Sequence, residues 1–251
     1  MIFQEQLPLQ RIFMAHQDYS SLTINSPNPV KRWSHRTRFK VALGIIDPQP
    51  NDSILDYGTG DAFTLKLIKE AQPSAKCIGY DPFLDSAAHE VKATYPDIEL
   101  LTEFAPLKGR SFAKVLCFET LEHFDGRFLE TRLDELTGLV APQGRLVISV
   151  PIEIGPASLF KNAVRVQMGK VHPGTTLAKV VQSTLYQRNL GRSAADTGGY
   201  INSHVGFDYR SLLPLLEKRN FRLMQTSFSP LAGFATDAVN SQIFLRFLRN
   251  A

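Results

Sequence analysis

Along residues 53–150, short apolar runs alternate with stretches in which apolar residues recur at helical spacing. Short apolar runs that end at glycine or charged residues predict strands, and stretches with apolar side chains at helical spacing predict the helices between them. Strands separated by single helices are typical of βαβ units, so an open α/β sheet is expected here. The predicted strands are 53–57, 76–80, 98–101, 113–118 and 145–150, and the predicted helices are 63–71, 84–94 and 128–139.

The segment before this core predicts one helix. Residues 30–46 have helical spacing, and the proline-containing residues 47–51 end the pattern. Residues 1–50 are therefore expected to form an N-terminal helical segment in front of a core at 51–150. The apolar positions expected to face inward are Trp33, Phe39, Leu43 and Ile46.

The segment after the core has two parts. Residues 151–205 contain predicted helices at 157–167 and 175–187, and we interpret them as a helical lid insertion over the carboxyl edge of the sheet. Residues 206–251 predict a helix at 208–219 and two strands, 221–228 and 241–248, that would pair antiparallel. The whole chain, 1–251, is thus expected to be a single α/β domain with a seven-stranded, mostly parallel sheet, helices on both faces and an antiparallel last strand.

Composition narrows the class of protein. The length of 251 residues suits one sizeable domain, and 43% apolar with 21% charged residues is ordinary for a globular chain. No uncharged apolar run approaches the roughly 18 residues of a membrane span, and the first residues lack the pattern of a signal peptide. We therefore expect a cytoplasmic protein, with peripheral membrane contact left open and the oligomeric state not predicted.

The two cysteines do not indicate a metal site or a disulfide framework. Cys77 and Cys117 are isolated within predicted strands, so they form neither a metal-ligand pattern nor a disulfide framework. No metal is expected, and a reducing compartment fits best.

Positive charge is concentrated in one place. The chain has 28 basic and 24 acidic residues, a formal charge of +4, but residues 31–40 form a basic cluster. This cluster could follow a phosphate backbone or be the solvated face of a helix. We favour the solvated face, so a nucleic-acid partner is not the leading expectation.

The first predicted strand ends in a turn with two glycines between acidic residues. In open α/β sheets ligands bind beyond the carboxyl ends of the strands, and Gly58 and Gly60 would let the backbone pass close to one. A dinucleotide fits poorly, because Phe63 occupies the third small position of its fingerprint. Asp61 would also place a carboxylate where a pyrophosphate binds. Both residues are compatible with a positively charged ligand that has no phosphate.

The turn resembles a known motif. Ile54-Leu55-Asp56-Tyr57-Gly58-Thr59-Gly60-Asp61-Ala62 is similar to motif I of the class I S-adenosylmethionine-dependent methyltransferases, of the small-molecule, type 11-like kind. The departure is Ala62, where many members have a third glycine. The resemblance implies a Rossmann-like fold and an S-adenosyl-L-methionine cofactor held by the turn residues Asp56, Tyr57, Gly58, Thr59 and Gly60.

Residues after the second and third strands extend the predicted cofactor site. Asp81 lies 25 residues after Asp56, near the interval of about 20 expected for an acid that accepts hydrogen bonds from ribose hydroxyls. The resemblance implies that role, with Pro82 and Phe83 bordering the adenine; the alternative is an ordinary turn or N-cap aspartate. Glu103 is implied to contact the adenine amino group, although a solvated loop glutamate is an equal alternative.

The segment after the fourth strand is the second distinctive match. Residues 115–124, with Leu121-Glu122-His123, closely resemble the strand-end segment of many small-molecule methyltransferases. Phe118 and Glu119 are therefore predicted to line the cofactor cleft. His123 is a candidate general base, because an imidazole can be neutral near pH 7. The alternative, which we favour, is that it orients the loop.

Candidates for the acceptor side lie in and after the predicted lid. We single out His204 as a catalytic candidate, because it precedes the helix where a lid would return to the cleft. Residues 152–162 faintly resemble methyltransferases of bacterial surface glycans and lipids, so a small-molecule, glycan or lipid-linked acceptor is the leading expectation. The other acceptor-side candidates are Glu153, His172, Tyr200 and Tyr209.

Two other functions stay open. RNA methylation is compatible with the basic cluster at 31–40, although the motif of amino-group base methylation is absent after the fourth strand. Cys117 lacks the preceding proline expected of a nucleophile for C5 methylation. A methyltransferase-like subunit without activity is the second alternative, and the intact glycines and Asp81 argue against it.

Overall fold

Seven strands form one mixed sheet with helices packed on both faces. The structure is a computed structural model that describes residues 26–155, 177–185, 201, 206–234 and 236–250. The strands are β1 (Ser53–Tyr57), β2 (Lys76–Tyr80), β3 (Glu99–Leu101), β4 (Phe112–Phe118), β5 (Val140–Pro151), β6 (Phe221–Ser229) and β7 (Gln242–Arg249). The described α-helices are α1 (Pro29–Ile46), α2 (Phe63–Ala71), α3 (Ser86–Thr94), α4 (Gly126–Gly138), α5 (Leu177–Thr184) and α6 (Leu212–Glu217).

The strand order places the ends of β1, β2 and β4 side by side. The order across the sheet is β3-β2-β1-β4-β5-β7-β6, and the first five strands pair in parallel. The last strand, β7, is antiparallel to both β5 and β6. Tyr57 pairs with Tyr80, so β1 and β2 end at the same level and their following turns meet.

Each face of the sheet has its own apolar cluster. Side chains of α1, α2 and α3 pack on one face, where Ile45, Ile46, Leu65 and Ile68 are fully buried. Side chains of α4 and α6 pack on the other face. Because successive strand residues point to opposite faces, β1, β2, β4, β5 and β7 supply side chains to both clusters, and these strands lie between two helical layers.

The two cysteines lie on opposite faces. Cys77 belongs to the cluster under α1–α3, and Cys117 belongs to the cluster under α4 and α6. Both thiols are free and buried. The sheet between them separates the two thiols in the folded chain.

Most predicted elements are confirmed, and the differences have local causes. β5 begins at Val140 because a bulge shifts its pairing from Phe112–Val140 to Lys114–Arg145, with Gln143 at φ 57°. The helix predicted at 208–219 is a 3₁₀ turn, Tyr209–Ser211, followed by the short α6. Trp33 is 48% exposed and does not face inward.

Parts of the predicted organisation lie outside the described residues. These parts are residues 1–25, the helix at 157–167 and most of the proposed lid; within the predicted helix 175–187 the structure describes α5. The division into segments and the lid interpretation therefore stay predictions. Among the described helices, none combines the length and hydropathy that a bilayer span requires.

Candidate active site

The turn after β1 is tied to the end of β2 by its backbone. The amides of Gly58 and Thr59 both donate to the carbonyl of Tyr80, at 2.8 and 3.1 Å. Gly58 has φ 81° and Gly60 has φ 54°, both in the left-handed region that glycine adopts without steric cost. The predicted glycine turn therefore has the sharp backbone that its sequence indicated.

Asp81 is held beside this turn by two amides. Gly60 donates to its Oδ2 at 3.0 Å, and Phe83 donates to its Oδ1 at 2.8 Å. Each carboxylate oxygen has a second lone pair, so the same side chain has the capacity to accept hydrogen bonds from a ligand diol. Burial raises the pKa of Asp81, and the two backbone donors act against this rise.

Asp56 makes the turn a buried, acidic environment. Its side chain is 2% exposed, and Thr59 Oγ1 donates to Oδ2 at 2.9 Å. Burial raises the pKa of Asp56 to about 7, and the negative charges of Asp61 and Asp81 act in the same direction, against the hydrogen bond from Thr59. Three carboxyl groups around one turn disfavour a phosphate ligand and favour a cation.

Tyr57 contributes only its backbone to the turn. Its ring is buried in the apolar cluster under α4 and α6. There the hydroxyl donates to Glu135 Oε2 and accepts from Arg132 Nη1 at 3.1 Å. Burial and Glu135 raise the pKa of Tyr57. The hydroxyl of Tyr57 therefore has partners on α4, and its role as a cofactor-binding residue stays a prediction.

The start of α2 keeps a carboxylate at its N-terminus. Asp61 Oδ1 accepts from the amide of Phe63 at 3.1 Å. Ala62 adopts φ 56° and is fully buried. An alanine with left-handed backbone costs about 1–2 kcal/mol, so glycine would adopt this conformation with less strain.

Pro82, Phe83 and Glu103 lie along the same edge. Pro82 and Glu103 are exposed, and Phe83 is 46% exposed. The Asp81 amide donates to the carbonyl of Leu101 at 3.0 Å, which brings the segment after β3 beside the segment after β2. The structure thus groups these three predicted residues with Asp81, and their contact with a cofactor stays a prediction.

The Glu119 side chain lies over β5 and β7 at the carboxyl edge of the sheet. Its Oε1 accepts from Gln242 Nε2 at 2.8 Å and from Ser149 Oγ at 3.5 Å, so the carboxylate lies over β5 and β7. Glu119 has φ 50°, a strained value for a residue with a side chain. The neighbouring Phe118 packs edge-on against Phe244, with ring centroids 5.6 Å apart. The predicted pair therefore lies on the side of β4 away from Asp81.

Three residues of this edge were missed in the sequence. Ser149 and Gln242 are buried polar residues within apolar strands, and that contrast was an available signal. Thr120 follows β4, and its Oγ1 donates to the carbonyl of Phe118 at 2.9 Å. Its side chain packs against Gly58, a contact between distant segments that no local pattern indicates.

His123 fastens a distant segment to the site. Its Nδ1 lies 2.9 Å from the carbonyl of Ile201, and the Ile201 amide donates to the carbonyl of His123 at 2.8 Å. This pair of contacts supports the interpretation that His123 orients a loop. Among the acceptor-side candidates, Glu153 is buried after β5, and Tyr209 donates to Asp237 at 3.3 Å. His172, Tyr200 and His204 lie outside the described residues.

A family comparison decides the class of this protein. The family model described as a methyltransferase domain matches residues 31–226. The chain belongs to this methyltransferase family. The match covers the glycine turn, Asp81 and the segment after β4, so the methyltransferase predicted from the sequence is confirmed. No curated protein matches the sequence of the chain.

Solved methyltransferases share the fold. Magnesium protoporphyrin IX methyltransferase from Synechocystis PCC 6803, with bound S-adenosylhomocysteine, is 13% identical with TM-score 0.57, over 98% of this chain and 95% of that one. The N-methyltransferase NodS from Bradyrhizobium japonicum WM9, also with S-adenosylhomocysteine, is 14% identical with TM-score 0.57, over 98% of both chains. A 1,6-didemethyltoxoflavin-N1-methyltransferase from Burkholderia thailandensis is 14% identical with TM-score 0.56, over 100% of this chain and 92% of that one. These likenesses confirm the Rossmann-like methyltransferase fold.

No metal centre accompanies the described part of this methyltransferase. Among residues 26–155 and the other described ranges, histidine, cysteine and carboxylate side chains do not gather into a group that could hold an ion. The described side chains at the edge thus offer carboxylate, amide, hydroxyl and imidazole groups for binding and positioning.

Proposed function

We propose that this methyltransferase binds S-adenosyl-L-methionine beyond β1, β2 and β4 and methylates a small-molecule, glycan or lipid-linked acceptor. S-adenosylmethionine is the methyl donor of the family. The observation that carries the proposal is the Asp81 carboxylate, held by the amides of Gly60 and Phe83 at the glycine turn.

The residues present fit this cofactor in charge and shape. The sulfonium and ammonium groups of the cofactor are cationic, and Asp56, Asp61 and Asp81 surround the turn with carboxyl groups. The cofactor has no phosphate that Asp61 would repel. A side chain at position 58 would collide with Thr120, so glycine is the residue that fits at this point of the turn.

The protein's own work is orientation rather than activation. When bound, the cofactor supplies a methyl group on a positively charged sulfur, which is already reactive toward nucleophiles. Asp81 would accept hydrogen bonds from the ribose hydroxyls, and the turn at 58–60 would support the rest of the ligand. Holding two reactants in line and excluding water accounts for much of the rate in such reactions.

Glu119 is suited to the acceptor side of the reaction. Gln242 and Ser149 fix its Oε1 over β5 and β7. A fixed carboxylate can accept a hydrogen bond from an acceptor hydroxyl or amine and orient its lone pair toward the methyl group. This role differs from the cofactor contact that the sequence predicted for Glu119.

The proposed acceptor class is supported by the substrates of two structural neighbours. The protoporphyrin and toxoflavin methyltransferases are named for small-molecule substrates. The glycan or lipid-linked alternative is supported by the resemblance at residues 152–162, most of which lie outside the described residues. The basic residues of α1 favour RNA as the second candidate acceptor.

Calorimetry with S-adenosylmethionine tests the cofactor part. The wild-type chain should bind the cofactor in a saturable way, and Asp81→Ala should weaken binding at least about tenfold, equivalent to about 1.4 kcal/mol. Glu90→Gln is the matched control, since it removes an exposed carboxylate on α3. The absence of wild-type binding at millimolar cofactor would overturn the proposal.

A transfer assay tests the acceptor part. The enzyme and methyl-labelled S-adenosylmethionine are incubated with separated fractions of polar small molecules, lipids, glycans, RNA and protein. Label in the small-molecule, glycan or lipid fraction supports the proposed acceptor, and label in RNA supports the second candidate. Cofactor binding without transfer to any fraction would indicate a non-catalytic subunit.

A further inference from the structure

Positive charge is concentrated on α1. The helix contains five basic residues and no acidic residue. The whole chain has a net charge of only +4, so the rest of the chain is close to neutral. The basic residues are Lys31, Arg32, Arg36, Arg38 and Lys40.

The side of α1 that faces solvent combines cations with apolar side chains. Val30, Trp33, Arg36 and Lys40 are separated by three, three and four positions, which places them on one face of a helix. Val30 is 69% exposed, Trp33 is 48% exposed, and Arg36 and Lys40 are also exposed. We call this set the outer face of α1. The inner face, with Ala42, Ile45 and Ile46, is buried against the sheet.

Local stability does not explain this arrangement. Lys31 and Arg32 stand in the first turn of α1, where the helix dipole disfavours cations. Five like charges on one helix also repel each other. The resulting positive potential acts on His35, whose pKa is lowered to about 4 by burial and by the charges of Arg38 and Lys31. An anionic partner would relieve this repulsion.

We infer that the outer face of α1 docks on an anionic lipid surface. Helices that lie in a membrane interface combine basic side chains with exposed tryptophan and aliphatic residues. Trp33 and Val30 would enter the headgroup region, while Arg36 and Lys40 meet lipid phosphates. A nucleic-acid backbone would satisfy the two cations but would leave Val30 in water, so a lipid surface fits the whole face better.

The position of α1 links this face to the active site. The Phe39 ring packs on Phe63, the first residue of α2, with centroids 4.8 Å apart. Phe63 directly follows the turn that carries Gly58 and Gly60. Docking through α1 would therefore hold the cofactor turn beside the bilayer.

Trp33 is the only tryptophan in the chain, so its fluorescence reports on this face without a label. The full chain is mixed with vesicles of phosphatidylcholine alone or with phosphatidylglycerol in equal parts. We expect a blue shift and protection from acrylamide quenching on the anionic vesicles only, and both effects should weaken as salt is added. Cofactor is absent from this assay, so its outcome does not depend on the proposed function.

Charge-reversal variants distinguish binding through the outer face of α1 from attraction by the net positive charge of the chain. Arg36→Glu with Lys40→Glu should lower vesicle binding at least tenfold in sedimentation. Lys76→Glu with Lys108→Glu changes the net charge equally at exposed positions away from α1 and should retain most of the binding. All four side chains are exposed, so both double variants should fold. Circular dichroism checks this.

Three results would overturn the inference. The first is an unchanged Trp33 emission on anionic vesicles at low salt, and the second is an equal loss of binding in both double variants. The third is Trp33 quenching by a single-stranded RNA oligomer with no response to vesicles, which would assign the outer face to nucleic acid instead.

Discussion

Thr120 Oγ1 lies only 2.3 Å from the point that a Cβ on Gly58 would occupy. The two residues follow β1 and β4, neighbouring strands of the sheet. The φ of 81° at Gly58 independently disfavours any other residue. The glycine turn after β1 thus packs against the side chain of a residue 62 positions later in the chain.

Gly58→Ala should disturb both the fold and the cofactor site. The new methyl group must displace Thr120, and the backbone must keep a left-handed conformation, so we expect a loss of stability of about 1–3 kcal/mol. Cofactor affinity should fall more than tenfold, because the amides of residues 58 and 59 would shift from the Tyr80 carbonyl. Urea unfolding and calorimetry measure the two effects.

Two variants control this experiment. Gly138→Ala is expected to be neutral, because open space surrounds the new Cβ and the residue lacks a positive φ. Adding Thr120→Ala to Gly58→Ala should restore part of the stability by removing the clash while the backbone strain stays. A double variant as unstable as Gly58→Ala alone would show that the Thr120 contact is unimportant.

Asp56→Asn should stabilise the protein in a pH-dependent way. The pKa of Asp56 is raised from 3.8 to about 7 in the fold. Below pH 3.8 the carboxyl is protonated in both states, and between pH 3.8 and 7 only the folded chain keeps the proton. Stability of the wild type therefore falls over this window. Above pH 7 both states are ionised and the cost is constant, at most about 4 kcal/mol.

The measurement is the difference in unfolding free energy between Asp56→Asn and wild type from pH 4 to pH 8. It should grow through the window and then level off, since the amide can still accept from Thr59 but carries no charge. Glu90→Gln, which removes an exposed carboxylate, is the control. A difference that does not vary with pH would contradict the burial of an ionisable Asp56. Cofactor affinity should decrease in the same variant, because one carboxylate is lost near a cationic ligand.

The parts of the site that were predictable are local in sequence. Gly58, Gly60 and Asp56 belong to one strand-to-helix turn, whose residue types are dictated by backbone conformation and by the ligand's charge. Asp81 was predictable because it ends the next strand in a βαβ unit. For the same reason most strand and helix bounds between 53 and 138 agree with the hydrophobic pattern.

The parts that were not predictable depend on contacts between distant segments. Glu119 meets Ser149 and Gln242, 30 and 123 positions away, and only the strand order brings β4, β5 and β7 together. The periodicity of α1 was clear, but it could not tell which apolar side chains the sheet would reach. Trp33 lies in the first half of the helix, whereas the buried residues Ala42, Ile45 and Ile46 lie in the second.

Gln242→Leu tests whether Glu119 serves the acceptor side. The variant removes the donor to Glu119 Oε1 and to Ser149 Oγ, so we expect a destabilisation of about 1–3 kcal/mol. Cofactor affinity should be unchanged, because this group lies over β5 and β7, and methyl transfer should decrease. Gln225→Leu on β6, whose amide makes one long bond of 3.3 Å, is the matched control and should cost about 0.5 kcal/mol or less.

Calorimetry distinguishes the two roles of Glu119. If Gln242→Leu lowers cofactor affinity as much as Asp81→Ala, Glu119 belongs to the cofactor cleft, as its sequence position suggested. If affinity is retained while transfer falls, the carboxylate acts on the acceptor.

His123 can be assigned by asking which of its nitrogens matters. A carbonyl only accepts hydrogen bonds, so the 2.9 Å contact with Ile201 requires a proton on Nδ1. An orienting role depends on that nitrogen, whereas a general base would use Nε2.

His123→Asn keeps a donor close to the position of Nδ1 and removes Nε2, and His123→Ala removes both. We expect the asparagine variant to retain most of the stability and transfer activity, and the alanine variant to lose about 1 kcal/mol of stability and much of the activity. Transfer of labelled methyl to the acceptor fraction and urea unfolding are measured for both variants. A loss of about 10²–10⁴-fold in transfer for both variants, with unchanged cofactor affinity, would instead make His123 the base.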